Sequence, residues 1–398
     1  MANLEIYVLL LFAVIAGWLL GRFGDRRLTR PRQSGTDVQD IFRDYFVGLN
    51  YLLNDEPDEA IDTFIRALEV DSDTIETHLA LGSLLRRRGK VDKAIKVHQT
   101  LLARPGLESS FFDSTRIQLS LDYIAAGLLD RAERLLKEIL EDDRASKWEA
   151  LRHLITIYQT EKEWELAVEY SQRLLVNPVY KKDPKTLSVA AHYCCELALA
   201  AMQEQQSGRA RQCIKRAFGF DRKHTRASLV LATLEQKLGN YQQAIKELVR
   251  ARATRPDYTQ LVIQPLHDCH EQLGIMRELE SLLTRMHQES PHPELVLALT
   301  RLKRQNQGSE AAFLFLSGQL AQHASLEGVK ELLQLKMGSG DTQSDAGLQA
   351  VPQILDALQN QRAAHQCTHC GYESRSLYWL CPSCQQWDSI RPRVEKVT

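Results

Sequence analysis

Small and large apolar residues recur along the middle of the chain with a period of 34 residues. The first unit contains Gly48, Tyr51, Ala60, Phe64 and Ala67. The corresponding positions 34 residues later are Gly82, Leu85, Ala94, His98 and Leu101. A small residue lets two paired helices approach closely, and a large residue one turn away fills the groove between neighbouring pairs. The pattern predicts an array of helix–turn–helix units.

This period resembles that of tetratricopeptide (TPR) repeats, which are 34-residue helix pairs. The small alanine recurs four more times, after 38, 35, 43 and 34 residues, at Ala132, Ala167, Ala210 and Ala244. The longer spacings predict loops inserted before the third and fifth units, and Pro178 and Pro184 indicate one such loop at 177–184. We therefore expect an all-α TPR solenoid with six units and two weaker helix pairs near 266–286 and 297–320.

The TPR family commonly binds a peptide or a partner on the concave face formed by the first helix of each repeat. In the second unit the candidate partner-binding residues on that face are Glu76, Ser83, Arg86 and Arg87. The alternative is that Arg86, Arg87 and Arg88 form a solvated helix end, where cations complement the helix dipole.

An apolar run at residues 4–21 has Glu5 as its one charge. About 18 apolar residues are near the lower limit for a helix that crosses a bilayer. The basic residues follow this run, which argues against a cleaved secretory signal and, by the positive-inside rule, keeps the later residues in the cytoplasm. We expect an uncleaved single-pass anchor with its N terminus outside. The arginines behind it either set this topology or contact lipids: Arg22, Arg26, Arg27, Arg30 and Arg32.

Two Cys-x-x-Cys pairs lie near the C terminus, Cys367 with Cys370 and Cys381 with Cys384. Each such turn places two thiolates on one side of a tight loop, and two facing turns make a tetrahedral four-sulfur site. We predict that these cysteines bind one metal ion, with zinc favoured over iron; zinc would be structural, and iron could carry an electron. The segment resembles rubredoxin-type and zinc-ribbon knuckles, in which Gly371 would adopt a positive φ.

Four aromatic residues of the same segment form either a small core or a surface that docks onto the repeats: Tyr372, Tyr378, Trp379 and Trp387. We expect packing for most of them, and we expect the metal to supply much of the stability of so small a module. His365 and His369 are not needed as ligands, since four thiolates complete a tetrahedron. The remaining cysteines are expected to be small buried apolar residues: Cys194, Cys195, Cys213 and Cys269.

The overall composition is that of an ordinary globular protein, with 44% hydrophobic and 25% charged residues. Fifty basic residues against 51 acidic ones give a net charge of −1, which argues against a dedicated nucleic-acid binder. The sequence contains no glycine-rich phosphate loop, nucleophile elbow or HExxH motif. We therefore expect a protein that is not an enzyme.

The order of these parts resembles that of the lipopolysaccharide assembly protein B family of Gram-negative bacteria. The resemblance rests on the start of the repeats, RDYFVGLNYLLND, the stretch AHYCCELAL and the ending LYWLCPSCQQWDSIRP. It implies an inner-membrane regulator that acts with the membrane-bound protease FtsH to promote degradation of the lipid A pathway deacetylase (UDP-3-O-acyl-N-acetylglucosamine deacetylase). It also implies contacts with an opposing inner-membrane regulator and with lipopolysaccharide transport proteins, and it makes the four paired cysteines the family's metal ligands.

Five segments are therefore expected: a transmembrane anchor at 1–21, a basic linker at 22–36, a TPR array at 37–335, a linker with a short helix at 336–362, and a rubredoxin-type metal-binding domain at 363–398. The expected protein is an inner-membrane adaptor with a periplasmic N terminus and a cytoplasmic bulk, either a monomer or a homodimer. Two other functions stay open. A rubredoxin-like iron electron carrier would be coloured, and a zinc-ribbon RNA-binding scaffold would show steeply salt-dependent binding.

Overall fold

The computed structural model describes residues 47, 50, 51, 59, 60, 63, 75–142, 146–322, 325–338, 351, 355 and 363–393. Sixteen α-helices lie in this part of the chain: α1 (Ile75–Arg87), α2 (Val91–Leu102), α3 (Ser109–Ala125), α4 (Leu129–Glu141), α5 (Lys147–Glu161), α6 (Trp164–Leu174), α7 (Pro178–Lys181), α8 (Pro184–Gln203), α9 (Ser207–Phe220), α10 (Thr225–Lys237), α11 (Tyr241–Thr254), α12 (Gln260–Leu273), α13 (Met276–Glu289), α14 (Pro293–Gln307), α15 (Ser309–Gln322) and α16 (Leu326–Gly338). Three short strands follow: β1 (His365–Cys367), β2 (Glu373–Ser374) and β3 (Ile390–Pro392).

The helices pack as consecutive pairs, which confirms the predicted TPR solenoid. Helix α1 packs on α2, α3 on α4, α8 on α9, α10 on α11, α12 on α13 and α14 on α15. The recurring alanines explain this arrangement, because each has no exposed surface and lies where two helices approach closely. They are Ala60, Ala94, Ala132, Ala167, Ala210 and Ala244, all 0% exposed.

Contacts divide the chain into two compact units, Met1–Ala150 and Leu151–Thr398. In the first unit Leu81, Leu84 and Leu85 form a buried cluster with Ala60 and Ala94. The helix pair α1–α2 is especially close at Gly82, where an added Cβ would lie 2.4 Å from ring atoms of His98. The His98 ring cannot easily move away, since it is fully buried and its Nδ1 lies 2.5 Å from Asp122 Oδ2.

The predicted loop at 177–184 is wrong in part, because both of its prolines begin helices. Pro178 begins α7, and the Asn177 side chain caps that helix by accepting from the Val179 amide at 2.9 Å. Pro184 begins α8, and Asp183 caps it by accepting from the Thr186 amide at 2.9 Å. Proline suits the first helical position, where no intrahelical partner exists for an N–H group.

The second unit contains the remaining repeats and a small C-terminal part, residues 363–393, which we call the cysteine module. Strand β1 is central in its three-stranded antiparallel sheet, with β2 and β3 on either side. The core of the module consists of Cys367, Cys381 and Ile390, with Leu377 and Cys384 packed against them. Of the helix predicted within 336–362, Val351 and Leu355 are helical, and most of the other residues lie outside the described part.

In the described part of the chain, no helix is both long and apolar enough to cross a membrane. The longest helix, α8, has 20 residues but carries Lys185, His192 and Glu196. This finding contradicts the prediction of a single-pass inner-membrane protein with a periplasmic N terminus and a cytoplasmic bulk. The apolar run at 4–21 on which that prediction depended lies outside the described residues, as do the arginines after it.

Candidate functional site

The four paired cysteines lie together in the cysteine module, with all sulfur atoms within 4.8 Å of one another. Cys367 Sγ lies 3.7 Å from Cys384 Sγ, and Cys370 Sγ lies 3.7 Å from Cys381 Sγ. A tetrahedron with metal–sulfur bonds of about 2.3 Å has edges of about 3.8 Å. The sulfur spacing therefore fits one tetrahedral ion of the size of zinc or iron.

Two similar turns bring the sulfur atoms to these positions. Gly371 has the predicted positive φ, 77°, and its amide donates to the Cys367 carbonyl at 3.0 Å. Gln385 follows the second pair with a φ of 55°, and its amide donates to the Cys381 carbonyl at 3.0 Å. The sequence did not indicate this second left-handed residue, because glutamine rarely adopts that conformation.

The surroundings of the thiols set how readily each loses its proton. Burial alone raises the pKa of the Cys367 thiol, but hydrogen bonds with the Ser389 hydroxyl and with the amides of Cys370 and His369 lower it to about 6. Burial, together with hydrogen bonds to the other cysteine sulfurs, raises the pKa of Cys384 to about 12. Metals bind thiolates, so metal binding at this cluster would release protons.

Trp387 docks the cysteine module onto the repeats. Its side chain is 8% exposed, and its Nε1 donates to Gln159 Oε1 at 2.7 Å. Its ring stacks on His192 with centroids 4.7 Å apart and meets Tyr193 edge-on at 5.9 Å. Gln159 Oε1 also accepts from Tyr193 Oη at 2.8 Å, while Gln159 Nε2 donates to the Gln385 carbonyl at 3.1 Å. One buried amide therefore joins the module to helices α5 and α8.

Asp388 and Trp379 make a second contact between the module and the repeats. Asp388 accepts from Tyr258 Oη at 2.8 Å, from Arg255 Nη1 at 3.1 Å and from Arg391 Nη1 at 3.0 Å. Burial alone raises the pKa of Asp388, but these donors hold it below its usual range. Trp379 packs on Tyr258 with ring centroids 5.1 Å apart.

The aromatic residues of the module thus divide into two groups. Trp379 and Trp387 dock onto the repeats, whereas Tyr372 and Tyr378 are 36% and 44% exposed. The expectation of packing is confirmed for the tryptophans, and their partners are repeat residues rather than a core of the module. His365 is not part of the sulfur cluster and has its Nε2 atom 3.2 Å from Gln260 Nε2.

The candidate partner-binding residues of the second repeat lie on α1, in the first unit. Arg86 pairs with Asp122 Oδ1 at 2.6 Å, and Ser83 donates to Gln118 Oε1 at 3.0 Å, so both bind the neighbouring helix α3. Glu76 and Arg87 are exposed. Their role in binding a partner stays a prediction.

Sequence reasoning did not single out most of the residues that hold the module in place. Gln159, His192 and Tyr258 are isolated polar or aromatic positions in a helical pattern, where no spacing indicates a role. A signal was nevertheless present. The stretch AHYCCELAL contains His192, and the ending LYWLCPSCQQWDSIRP contains Trp387, so two sequences quoted above for the family resemblance meet at this interface.

The comparisons with known proteins agree with these modules. A family model described as a rubredoxin metal binding domain matches residues 365–392, and tetratricopeptide repeat models match 77–108 and 195–258. Lipopolysaccharide assembly protein B of Escherichia coli (strain K12) is 31% identical over 388 residues, 97% of each chain. The protein of that name from Haemophilus influenzae is 32% identical over 401 residues, again 97% of each chain. A solved tetratricopeptide repeat protein from Parabacteroides merdae is 16% identical, with a TM-score of 0.25, over 75% of this chain and 99% of that one.

Proposed function

Because this chain belongs to the lipopolysaccharide assembly protein B family, we propose that it acts in lipopolysaccharide assembly as an adaptor without catalytic activity of its own. In this proposal it brings the lipid A pathway deacetylase to the protease FtsH and so promotes degradation of the deacetylase. The opposing regulator and the lipopolysaccharide transport proteins would act by binding the same chain. These named partners follow from the family resemblance.

The observation that carries the proposal is the docking of the cysteine module onto the repeats through Trp387. Gln159 and Trp387 are 228 residues apart in the sequence, yet their side chains are hydrogen bonded at 2.7 Å. The module is therefore packed directly against the repeats of the second unit, so one partner can contact both parts. An adaptor of this kind needs no reactive group, because holding a substrate beside its protease raises the effective concentration of that substrate.

The four cysteines would hold one metal ion in this function: Cys367, Cys370, Cys381 and Cys384. We favour zinc, which would supply a structural cross-link between the two turns, since the module has a small core of its own. An iron ion in the same sulfur cage would instead support electron transfer. Metal analysis and the visible spectrum of the purified protein distinguish the two, because an iron tetrathiolate absorbs visible light and a zinc site does not.

The half-life of the deacetylase in cells tests the adaptor function. We would compare cells with the native protein, cells without it, and cells with a Cys381→Ser/Cys384→Ser variant. The matched control is Cys213→Ala/Cys269→Ala, which removes two thiols that lie buried in the repeats, away from the cluster. We expect a longer half-life in the first variant and in the depleted cells, and a native half-life in the control.

Blotting for the chain itself shows whether each variant accumulates. An unchanged deacetylase half-life in depleted cells would refute the proteolytic role. A native deacetylase half-life in the Cys381→Ser/Cys384→Ser variant, together with a longer half-life in depleted cells, would show that the adaptor works without its metal cluster.

A further inference from the structure

A cavity of about 250 Å³ lies beside the cysteine module, away from the sulfur cluster. Its lining includes His192, Lys223 and Arg226 from the repeats and Trp379 and Asp388 from the module. This volume is below the roughly 300–1,000 Å³ of pockets that enclose drug-sized ligands. The cavity therefore suits a small ligand or one chemical group of a larger molecule.

Two buried side chains of this lining carry nitrogen atoms that have no hydrogen-bond partner among the described residues. Arg226 is 6% exposed, and its Nη2 donates to Glu196 Oε1 at 2.7 Å, but its Nη1 is unpaired. His192 is 1% exposed, and both of its ring nitrogens are unpaired. Buried polar groups in folded proteins nearly always have a partner. Arg226 Nη1 and at least one of the His192 ring nitrogens carry a hydrogen, so they indicate a ligand that accepts hydrogen bonds.

The free donors of the described lining, rather than a net positive charge, favour an anion. Asp388 is already bonded by Arg255 and Arg391 at 3.1 and 3.0 Å. The other acid of the described lining, Asp221, uses one oxygen to accept the Lys223 amide at 2.9 Å. The guanidinium group of Arg226 is paired with Glu196 through Nη2, so within the described residues it offers its free Nη1 as a donor rather than an unbalanced charge. The exposed Lys223 side chain supplies a second cationic donor.

The backbone and the histidines add neutral donors to these charges. Helix α10 begins at Thr225, a lining residue, so the positive end of its dipole lies at the cavity wall. Burial lowers the pKa of His192 well below its usual value and that of His224 to about 4, so both rings are neutral near pH 7. His224 Nδ1 accepts from the Ala227 amide at 3.3 Å, which leaves its Nε2 to carry the proton.

We propose that this cavity binds a small oxyanion of the phosphate class, either free phosphate or the phosphomonoester group of a larger molecule. Arg226 Nη1 is the main charged donor, Lys223 attracts the anion from the rim, and His192 donates from the buried wall. A ligand here touches both the repeats and the cysteine module. Its binding therefore favours the docked module, because a ligand stabilises the state to which it binds. The site is an effector site, distinct from the adaptor function proposed above.

Calorimetric titration of the full-length, metal-loaded protein with inorganic phosphate tests this proposal, with chloride at matched ionic strength as the reference. We expect saturable binding of one phosphate per chain. Arg226→Gln should weaken it roughly tenfold or more, since a hydrogen bond to a charged group is lost. The matched control is Arg222→Gln, which removes the same charge from an exposed neighbour outside the described lining, and it should bind like the native protein.

A second variant is needed because Arg226 also packs over Trp379 and Trp387, at 5.6 and 5.5 Å from their ring centroids. Lys223→Gln changes an exposed side chain and spares the fold, and it should weaken binding roughly two- to fivefold at low salt. Circular dichroism of each variant confirms that it is folded before titration.

A parallel titration with glucose 1-phosphate distinguishes the two sources of the anion. Binding of both ligands would identify a phosphomonoester site, and binding of inorganic phosphate alone would identify a site for the free ion. The proposal is wrong if neither ligand binds saturably, or if Arg226→Gln and Lys223→Gln both bind like the native protein. Because the measured quantity is ligand binding, the result does not depend on the lifetime of any deacetylase.

Discussion

Replacing Trp387 by alanine should weaken the docking of the cysteine module. The change removes the stack on His192, the edge contact with Tyr193 and the hydrogen bond to Gln159 at 2.7 Å. Because the side chain is 8% exposed, we expect a loss of about 3–5 kcal/mol, the usual range for truncating a buried tryptophan.

Trp387→Phe separates the ring contacts from the hydrogen bond. It keeps an aromatic ring for His192 and loses only the indole N–H and part of the ring. Gln159 Oε1 still accepts from Tyr193 Oη at 2.8 Å, so no buried acceptor is left unpaired. The expected loss is therefore about 1–2 kcal/mol.

Hydrogen exchange in peptides that cover residues 365–392 measures these losses. We expect strong protection of the amides of Cys367 and Thr368, which donate to the carbonyls of Tyr372 and Ser389, both at 2.8 Å. Exchange of such amides requires the module to open, so its opening free energy contains the docking contribution. Trp387→Ala should accelerate this exchange by roughly two to four orders of magnitude, and Trp387→Phe by roughly one.

Tyr372→Ala is the matched control, since it truncates an aromatic residue of the same module that is 36% exposed. We expect it to change the opening free energy by no more than about 0.5 kcal/mol. The reasoning fails if Trp387→Ala exchanges like this control. Equal losses for the alanine and phenylalanine variants would show that the hydrogen bond, rather than the aromatic stack, holds the module.

Three other substitutions and one chemical modification have expected outcomes. Gly82→Ala should lower stability by about 1–3 kcal/mol, because the new Cβ would lie 2.4 Å from a buried histidine ring. An added Cβ at Gly318 would meet no atom within 4 Å, so Gly318→Ala should raise stability by up to about 1 kcal/mol. Thermal unfolding followed by circular dichroism compares the two variants. Equal effects would contradict the packing argument. Gln385 has a left-handed φ, which costs a residue with a side chain about 1–2 kcal/mol but costs glycine little. Gln385→Gly should therefore slow the loss of metal to a chelator, and faster loss would contradict this reasoning. Burial raises the pKa of Cys194 and Cys195 to about 12, so at pH 8 both stay protonated. Iodoacetamide should label them only after unfolding, and rapid labelling of the folded protein would refute this.

The features predicted correctly from the sequence are those with a local physical cause. The alanine spacing reports how closely two adjacent helices approach, and Ala94 and Ala132 are accordingly fully buried. The Cys-x-x-Cys turns place their sulfur atoms within one tight loop each, so only the meeting of two turns had to be inferred. The positive φ of Gly371 follows from the same turn.

The features that were missed depend on contacts between distant parts of the chain. The pairing of Trp387 with Gln159 spans 228 residues and leaves no periodic trace in the sequence. The failure to predict helix starts at Pro178 and Pro184 has a different cause. Each proline follows an asparagine or aspartate that is a typical helix cap. In that case the signal was local, and the prolines were interpreted only as loop residues.

The long separation between Gln159 and Trp387 also has a consequence for protein synthesis. A ribosome adds about 5–20 residues per second, so the 228 residues between these partners take about 10–45 s to translate. Once they are synthesised, His192 and Tyr193 lack the cover of Trp387 for the rest of that interval. Chains that terminate before residue 387 never acquire this cover, so prematurely truncated products should be preferred clients of chaperones and of quality-control proteases.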